Sequence, residues 1–206
     1  MRKTITGLLF LTVVLLSSCA KIYYSPDAKA KASRHRIIAI APPRVSIAAS
    51  KKVDAEALKE QQRTESINFQ KEMYSWLLRR KRQNRISVEI QDMESTNAKL
   101  KKAGYFDDTP MSPSEICEAL EVDGLITSNY SLSKPMSEGA AFALGVLVGV
   151  RGSTNKTTVT LEIHDKDSQK LLWNYNHTVS GSVGSTPTQL VDDLMRHVSK
   201  RMPYSN

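Results

Sequence analysis

"TTVTLEIHDKDSQKLLWNYNHTV", Thr157–Val179, is the stretch that decides the fold. Val159, Leu161 and Ile163 recur at every second residue, so an extended chain puts them on one face. After the polar turn "DKDSQK" the alternation resumes, with Trp173, Tyr175, His177 and Val179 on a shared face. Two alternating runs rich in β-branched and aromatic residues, joined by a short polar turn, read as a β-hairpin. Such a hairpin is amphipathic, so the rest of the chain must supply the layer that covers its apolar side.

Upstream, "VDGLITSNYSL", Val122–Leu132, reads as another strand. "RIIAIAPP", Arg36–Pro43, is a short, continuously apolar run stopped by two prolines, as expected of a strand buried on both faces. "ISVEI", Ile86–Ile90, alternates and reads as a half-buried strand. Between these lie helical signals. Val53–Arg82 carries Phe69, Met73, Trp76 and Leu77 at helical spacing, which places Trp76 in the core. A weak helix from Thr96 to Ala103 is closed by Gly104. "SPSE", Ser112–Glu115, is a capping box with proline at the first helical position and predicts a short helix to Leu120. "TPTQ", Thr186–Gln189, opens a terminal helix with Leu190, Val191, Leu194 and Val198 in one stripe and Pro203 at its end. The order is strand, helix, strand, helices, three strands and a terminal helix. That order predicts an α/β domain: a mixed sheet of about five strands with flanking helices, in two or three layers.

The N-terminus fixes the expected compartment. Arg2 and Lys3 precede an apolar run from Ile5 to Leu16, and "LSSC" follows at Leu16–Cys19. This pattern is a secretory signal, too short to span a bilayer. Its end resembles the lipobox of bacterial lipoproteins. The resemblance implies that residues 1–18 are removed, that Cys19 is lipidated, and that Ala20 directs the protein to the outer membrane, facing the periplasm. Residues 19–35 are then expected as a polar tether, and 36–206 as one domain of about 170 residues, long enough for a proper core. Cys117 is the only cysteine left after lipidation and cannot form an internal disulfide. Next to Ile116 and Leu120 it reads as a small buried hydrophobe, with a reactive thiol as the alternative.

Losing Arg2 and Lys3 lowers the formal charge from +8 to +6. In the periplasm a basic balance suits lipid headgroups or cell-wall polymer rather than nucleic acid. The densest basic run is "LRRKRQNR", Leu78–Arg85. Arg79, Arg80, Lys81, Arg82 and Arg85 there are either a solvated helix end, favoured by the helix dipole, or a patch for an anionic surface.

"SEGAAFALGVLVGVRG", Ser137–Gly152, is apolar and glycine-rich, and it falls between two strands, within an insertion at 137–153. As a helix, Gly139–Val150 reaches roughly 18 Å against a hydrocarbon core of ~30 Å, which excludes a spanning helix. A barrel strand would alternate in polarity, and this segment does not. Helical spacing puts Ala141, Gly145 and Gly149 on a small-residue face, with Phe142, Val146 and Leu147 beside it. Burial in the core, self-association or another interaction surface, and membrane contact remain open as its roles.

No catalytic pattern is present. His35, His164, His177 and His197 lack zincin spacing, "SGSVGS" is not a nucleophile elbow, and "GVRGSTNKT" lacks the lysine end of a P-loop. His164 and Asp165 adjoin, but strand neighbours face opposite ways. Nothing in the sequence calls for a cofactor or a metal.

The arrangement resembles the periplasmic α/β lipoprotein group that includes the curli secretion channel subunit, the lipoprotein activators of penicillin-binding proteins and the N-terminal domain of the Tol translocation protein. The residues carrying the resemblance are "IIAIAPP", "VDGLITSNY", "VTLEIHDKDSQKLLWNY" and the terminal helix ending at Met202 and Pro203. Where many members have glycine in the hairpin turn, this chain has Ser168 and Gln169. The resemblance implies interaction rather than catalysis: a non-enzymatic accessory or scaffold of envelope assembly or export, held at the membrane by its lipid, with an unknown envelope protein as partner. The alternatives are an oligomeric outer-membrane export subunit, which would be a homo-oligomer, and a cell-wall hydrolase.

Overall fold

A computed structural model describes residues 21–48, 54–107, 110–133, 155–181 and 186–206. Its elements in chain order are β1 (Lys21–Tyr24), α1 (Ala28–Ala32), β2 (Ile37–Ile40), β3 (Arg44–Ile47), α2 (Ala55–Arg82), β4 (Glu89–Ile90), α3 (Met93–Lys102) and α4 (Pro113–Leu120). They are followed by β5 (Gly124–Leu132), β6 (Asn155–Asp165), β7 (Leu171–Gly181), α5 (Pro187–Val198) and a 3₁₀ turn, Ser199–Arg201.

The hairpin is the long antiparallel pair β6–β7. Val159 faces His177, Leu161 faces Tyr175 and Ile163 faces Trp173, with a bulge after Ile163. Asp165 builds the turn: its carboxylate accepts the Ser168 backbone N–H at 2.8 Å, while its own N–H donates to the Lys170 carbonyl. Gln169 sits there at φ 56°, the left-handed region that glycine occupies at lower cost.

β5 extends the hairpin antiparallel to β6, and β2, β3 and β4 add the parallel part, giving a mixed sheet in the order β1-β7-β6-β5-β2-β4. β3 pairs with the same central strand as β2 does, but farther along: β2 takes Gly124–Ile126 and β3 takes Asn129–Leu132. Pro42 and Pro43 have no N–H for the ladder, so they interrupt the pairing, and it then resumes along β5. Among the described residues the sheet thus has seven strands, more than the five or so expected.

One of the added strands overturns an expectation. The residues expected as a polar tether fold into the domain: Lys21–Tyr24 pairs with Trp173–Asn176, and Ala28, Ala32 and His35 are buried. Four ladder positions and two small apolar residues on one helix face are enough to fix a segment whose composition reads as a linker. "ISVEI" also narrows. Ile86, Val88 and Ile90 are buried as the alternation requires, but only Glu89–Ile90 pairs as a strand, with Ile86 bridging to Ser205.

Alternation along β2 splits the core in two. Ile38 and Ile40 join Phe69, Met73 and Trp76 of α2, Leu194 and Val198 of α5, and the hairpin's Leu161, Ile163, Trp173 and Tyr175. Ala39 and Ala41 point the other way, into a smaller cluster with Leu100 of α3 and Ile116, Cys117 and Leu120 of α4. The domain is therefore three-layered where β2 lies. Phe69 stacks on Tyr130 at 4.0 Å, which clamps α2 to the middle of β5. Both capping boxes form, at Ser112 with Glu115 and at Thr186 with Gln189. α5 stops at Val198, ahead of Pro203, and continues as the 3₁₀ turn.

Candidate functional site

The most concentrated polar chemistry in the described residues lies where β2 and β5 begin and β6 ends. His35, just ahead of β2, directs Nε2 to Asp165 Oδ1 at 2.8 Å and Nδ1 to the Tyr204 hydroxyl at 2.8 Å. With Asp165 ionised, Nε2–H donates to its carboxylate, and the Tyr204 hydroxyl shares a hydrogen bond with Nδ1. Burial pushes the Asp165 carboxyl up, but hydrogen bonds from Ser168 and His35 outweigh it and hold the pKa below the ordinary value. Burial pushes the Tyr204 phenol well up, so it stays a protonated donor. Lys31 approaches Asp165 at 3.8 Å and Asp27 at 3.2 Å. Beside the cluster, Asp123 accepts the N–H groups of Arg36 and Ile37, tying the start of β5 to the start of β2.

Gly124 makes the cluster possible. A Cβ at this position would lie 2.5 Å from His35 Nδ1 and 2.7 Å from the Tyr204 hydroxyl. Only a residue without a side chain lets the imidazole and phenol meet over the strand.

Chemically, the cluster is closed. Both imidazole nitrogens are engaged, all three side chains are buried, and the Ser168 hydroxyl bonds to Asp165 rather than to the imidazole. General-base catalysis needs a ring nitrogen within reach of a substrate proton, and His35 offers none in this arrangement. The cluster joins four chain segments: the one before β2, the start of β5, the hairpin turn and the C-terminal tail.

His164 is on the opposite face from Asp165, as strand geometry requires, where it contacts Glu162 and Thr127 at 3.3 Å. His177 packs at 5.9 Å from Tyr175, and His197 bonds the Asp193 carbonyl one turn back. Cys117 is fully buried, and burial pushes its thiol up to about 12, which favours the hydrophobe reading over the reactive thiol. Among the described residues no three His, Cys, Asp or Glu side chains group as metal ligands, and no helix is long and apolar enough to cross a membrane.

The basic run divides. Lys81 pairs with Glu89 and also donates to the Val88 carbonyl. Arg79 and Arg82 are exposed on the helix end. The Arg80 guanidinium carbon lies over the Trp76 ring, 4.4 Å from its centroid, and with Arg85 the residue lines a cavity of about 250 Å³ shared with Ser199, Lys200, Ser205 and Asn206. Composition along the run could not single out Arg80 and Arg85, because the third cation, Lys200, comes from the far end of the chain. Cys19 and the apolar surface at Ala141, Phe142, Gly145, Val146, Leu147 and Gly149 lie outside the described residues.

Sequence reasoning missed the His35 cluster because it assigned His35 to a tether. The available signals were the glycine of "VDGL" at the start of a strand, which marks a close approach, and the turn-forming aspartate of the hairpin.

No protein-family model matches the chain, and no curated protein matches it. Solved structures do. A lipoprotein from Neisseria meningitidis, GNA1162, is 12% identical over 80% of this chain and 96% of its own, with a TM-score of 0.46. The C-terminal domain of LpoB from Salmonella enterica is 9% identical over 71% and 83%, with a TM-score of 0.37. PelC from Paraburkholderia phytofirmans, crystallised as a dodecamer, is 8% identical over 91% and 98%, with a TM-score of 0.41. At such identities and TM-scores the likeness carries no activity or partner across to this chain.

Proposed function

We propose that the chain is a lipid-anchored, periplasm-facing, non-enzymatic accessory or scaffold protein of the bacterial envelope. The observation that carries this reading is the position of β1. Ala20 alone separates Cys19 from Lys21, the first residue of the sheet. A lipid on Cys19 would thus hold a folded sheet edge directly at the bilayer instead of a domain on a leash. One acyl chain binds reversibly and two or more bind firmly, so a diacylated cysteine would suffice for permanent attachment.

The non-enzymatic part of the reading draws support from His35 and Asp165, the buried histidine–carboxylate pair, whose hydrogen-bonding capacity is taken up by the fold itself. Changing Cys19 to Ser is expected to move the protein from the membrane to the soluble periplasmic fraction, and mass spectrometry of the parent should find acyl chains on Cys19. Retention of the unlipidated variant at the membrane would overturn the anchor reading. Crosslinking in intact envelopes then identifies the partner. Light scattering in detergent tests the export-subunit alternative, which requires a closed ring.

A further inference from the structure

We propose that the cavity between the C-terminal end of α2 and the C-terminal tail binds a phosphate group. It is lined by two guanidinium groups and one ammonium, from Arg80, Arg85 and Lys200, with Ser199, Ser205 and Asn206 completing the wall. Three features make it a site rather than a charged surface.

First, the cations lack carboxylate partners. Among the described residues none of the three forms an ion pair, and the carboxylate whose charge Arg80 senses, Asp192, is held by Arg196 at 2.7 Å. Folding brings like charges together here: burial, then Arg85, Arg196 and Arg79, push the Arg80 pKa below its ordinary value, and the opposing effect of Asp192 only partly offsets them. An anion in the cavity would relieve that repulsion.

Second, the wall is pre-organised. Arg80 is fixed on the Trp76 ring and reaches Gln83 Oε1 at 3.3 Å. The Arg85 N–H donates to the Arg80 carbonyl at 3.0 Å, which folds the chain back so that both arginines serve one space. Asn84 makes the reversal with φ 55°. The tail is pinned opposite by Asn206 N–H on the Arg85 carbonyl, Asn206 Nδ2 on the Asn84 carbonyl, and the Ser205 hydroxyl on the Ser199 carbonyl. Ordering entropy of the backbone that carries these side chains, and of Arg80 itself, is thus already lost.

Third, the donor set matches a tetrahedral oxyanion. Guanidinium forks give paired, planar N–H groups, an ammonium adds a point charge, and the Asn206 side-chain amide keeps a second N–H beyond the one given to the Asn84 carbonyl. The site does not depend on whether Cys19 is lipidated. Its phosphate could be free or could belong to an anionic lipid headgroup.

The test uses the full chain purified in non-ionic detergent. Inorganic phosphate is titrated by ³¹P NMR and by thermal shift against chloride at matched ionic strength. A parallel arm uses short-chain phosphatidylglycerol below its micelle concentration, with phosphatidylcholine as the zwitterionic control. Saturable binding is expected, with a thermal gain that grows with ligand as mass action requires. The double variant Arg85→Gln/Lys200→Gln, at two exposed positions, is expected to weaken binding about tenfold or more. Lys101→Gln/Lys102→Gln, which removes the same charge from the exposed face of α3, should leave binding unchanged. Binding of phosphatidylglycerol alone assigns a headgroup, binding of phosphate alone assigns a soluble ligand, and binding of both supports the shared chemistry. Phosphate acting no better than chloride with the lipid arm also silent, or equal losses in the two double variants, would overturn the proposal.

Discussion

Gly124→Ala tests the architecture at its tightest point. The added methyl would lie about 0.9 Å inside ordinary van der Waals contact with His35 Nδ1 and close to the same depth inside contact with the Tyr204 hydroxyl. Neither neighbour is a flexible chain end: the imidazole is held at both nitrogens, and both residues are buried. Relief requires the ring or the phenol to move, which breaks the 2.8 Å bond between them. Overpacking costs about 1–3 kcal/mol, and a buried donor left without its partner costs about 1–3 kcal/mol more. Against this, alanine restricts the unfolded chain by about 0.4–1 kcal/mol in favour of folding. The expected net loss is about 2–4 kcal/mol, a large share of a typical domain's stability, or roughly 10 °C in Tm at this chain length. Denaturant unfolding followed by the fluorescence of buried Trp76 and Trp173 measures it. The cycle with His35→Ala isolates the cause. Once the imidazole is gone its clash with the methyl is removed and the phenol, freed from its bond to the ring, can shift away from the methyl, so the two losses should fall short of additivity by about 1 kcal/mol or more. A Gly124→Ala variant within about 0.5 kcal/mol of the parent, or strict additivity with His35→Ala, would refute the close-packing argument.

Four further outcomes are expected. The Asp165 carboxyl is held below its ordinary value in the fold, so the stability it contributes is complete above the unfolded value of about 3.9 and drains as pH falls through the folded value. Equilibrium unfolding across the acid range should show this decline, and Asp165→Asn should flatten it. With its thiol pushed up to about 12, Cys117 should resist maleimide at pH 8 in the native protein and react once unfolded; rapid native labelling would contradict the burial. Thr186→Ala removes the cap of α5 and should cost about 1 kcal/mol in denaturant unfolding. Gln169→Gly relieves a left-handed residue in the hairpin turn and should raise stability by about 0.5–1 kcal/mol by the same measurement.

What could be read from the sequence was what short-range chemistry encodes. The hairpin shows in the period of Val159 to Ile163 and Trp173 to Val179. The starts of α4 and α5 show in capping boxes whose partners are three residues apart. β1 and β3 do not show, because neither four-residue stretch has the continuous apolar run that marks β2, and β1 is fixed by a strand some 150 residues away. The bonds that join His35 to Asp165 and Tyr204 span 130 and 169 residues, and no local pattern announces them. The basic run was visible as charge. Its division into an ion-paired Lys81 and a cavity-lining Arg80 and Arg85 depends on where β4 and the tail fold back.

The register of β1 also sets a direction. Lys21 lies opposite Asn176 and Tyr24 opposite Trp173, so the chain traced back from Lys21 heads toward the Gly181 end of β7. Leu132 and Asn155, which flank the unassigned apolar segment, lie at that same end, while the hairpin turn, His35 and the Arg36–Glu89 contact lie at the other. A lipid on Cys19 would plant the domain on its end, with Leu132 and Asn155 on the bilayer side. The eleven residues of β6 would then carry Asp165 about 35 Å outward. The charged cavity, beside β4 at that outer end, would then stand clear of the anchoring bilayer, open to a soluble anion but out of reach of the headgroups of the membrane that holds the lipid.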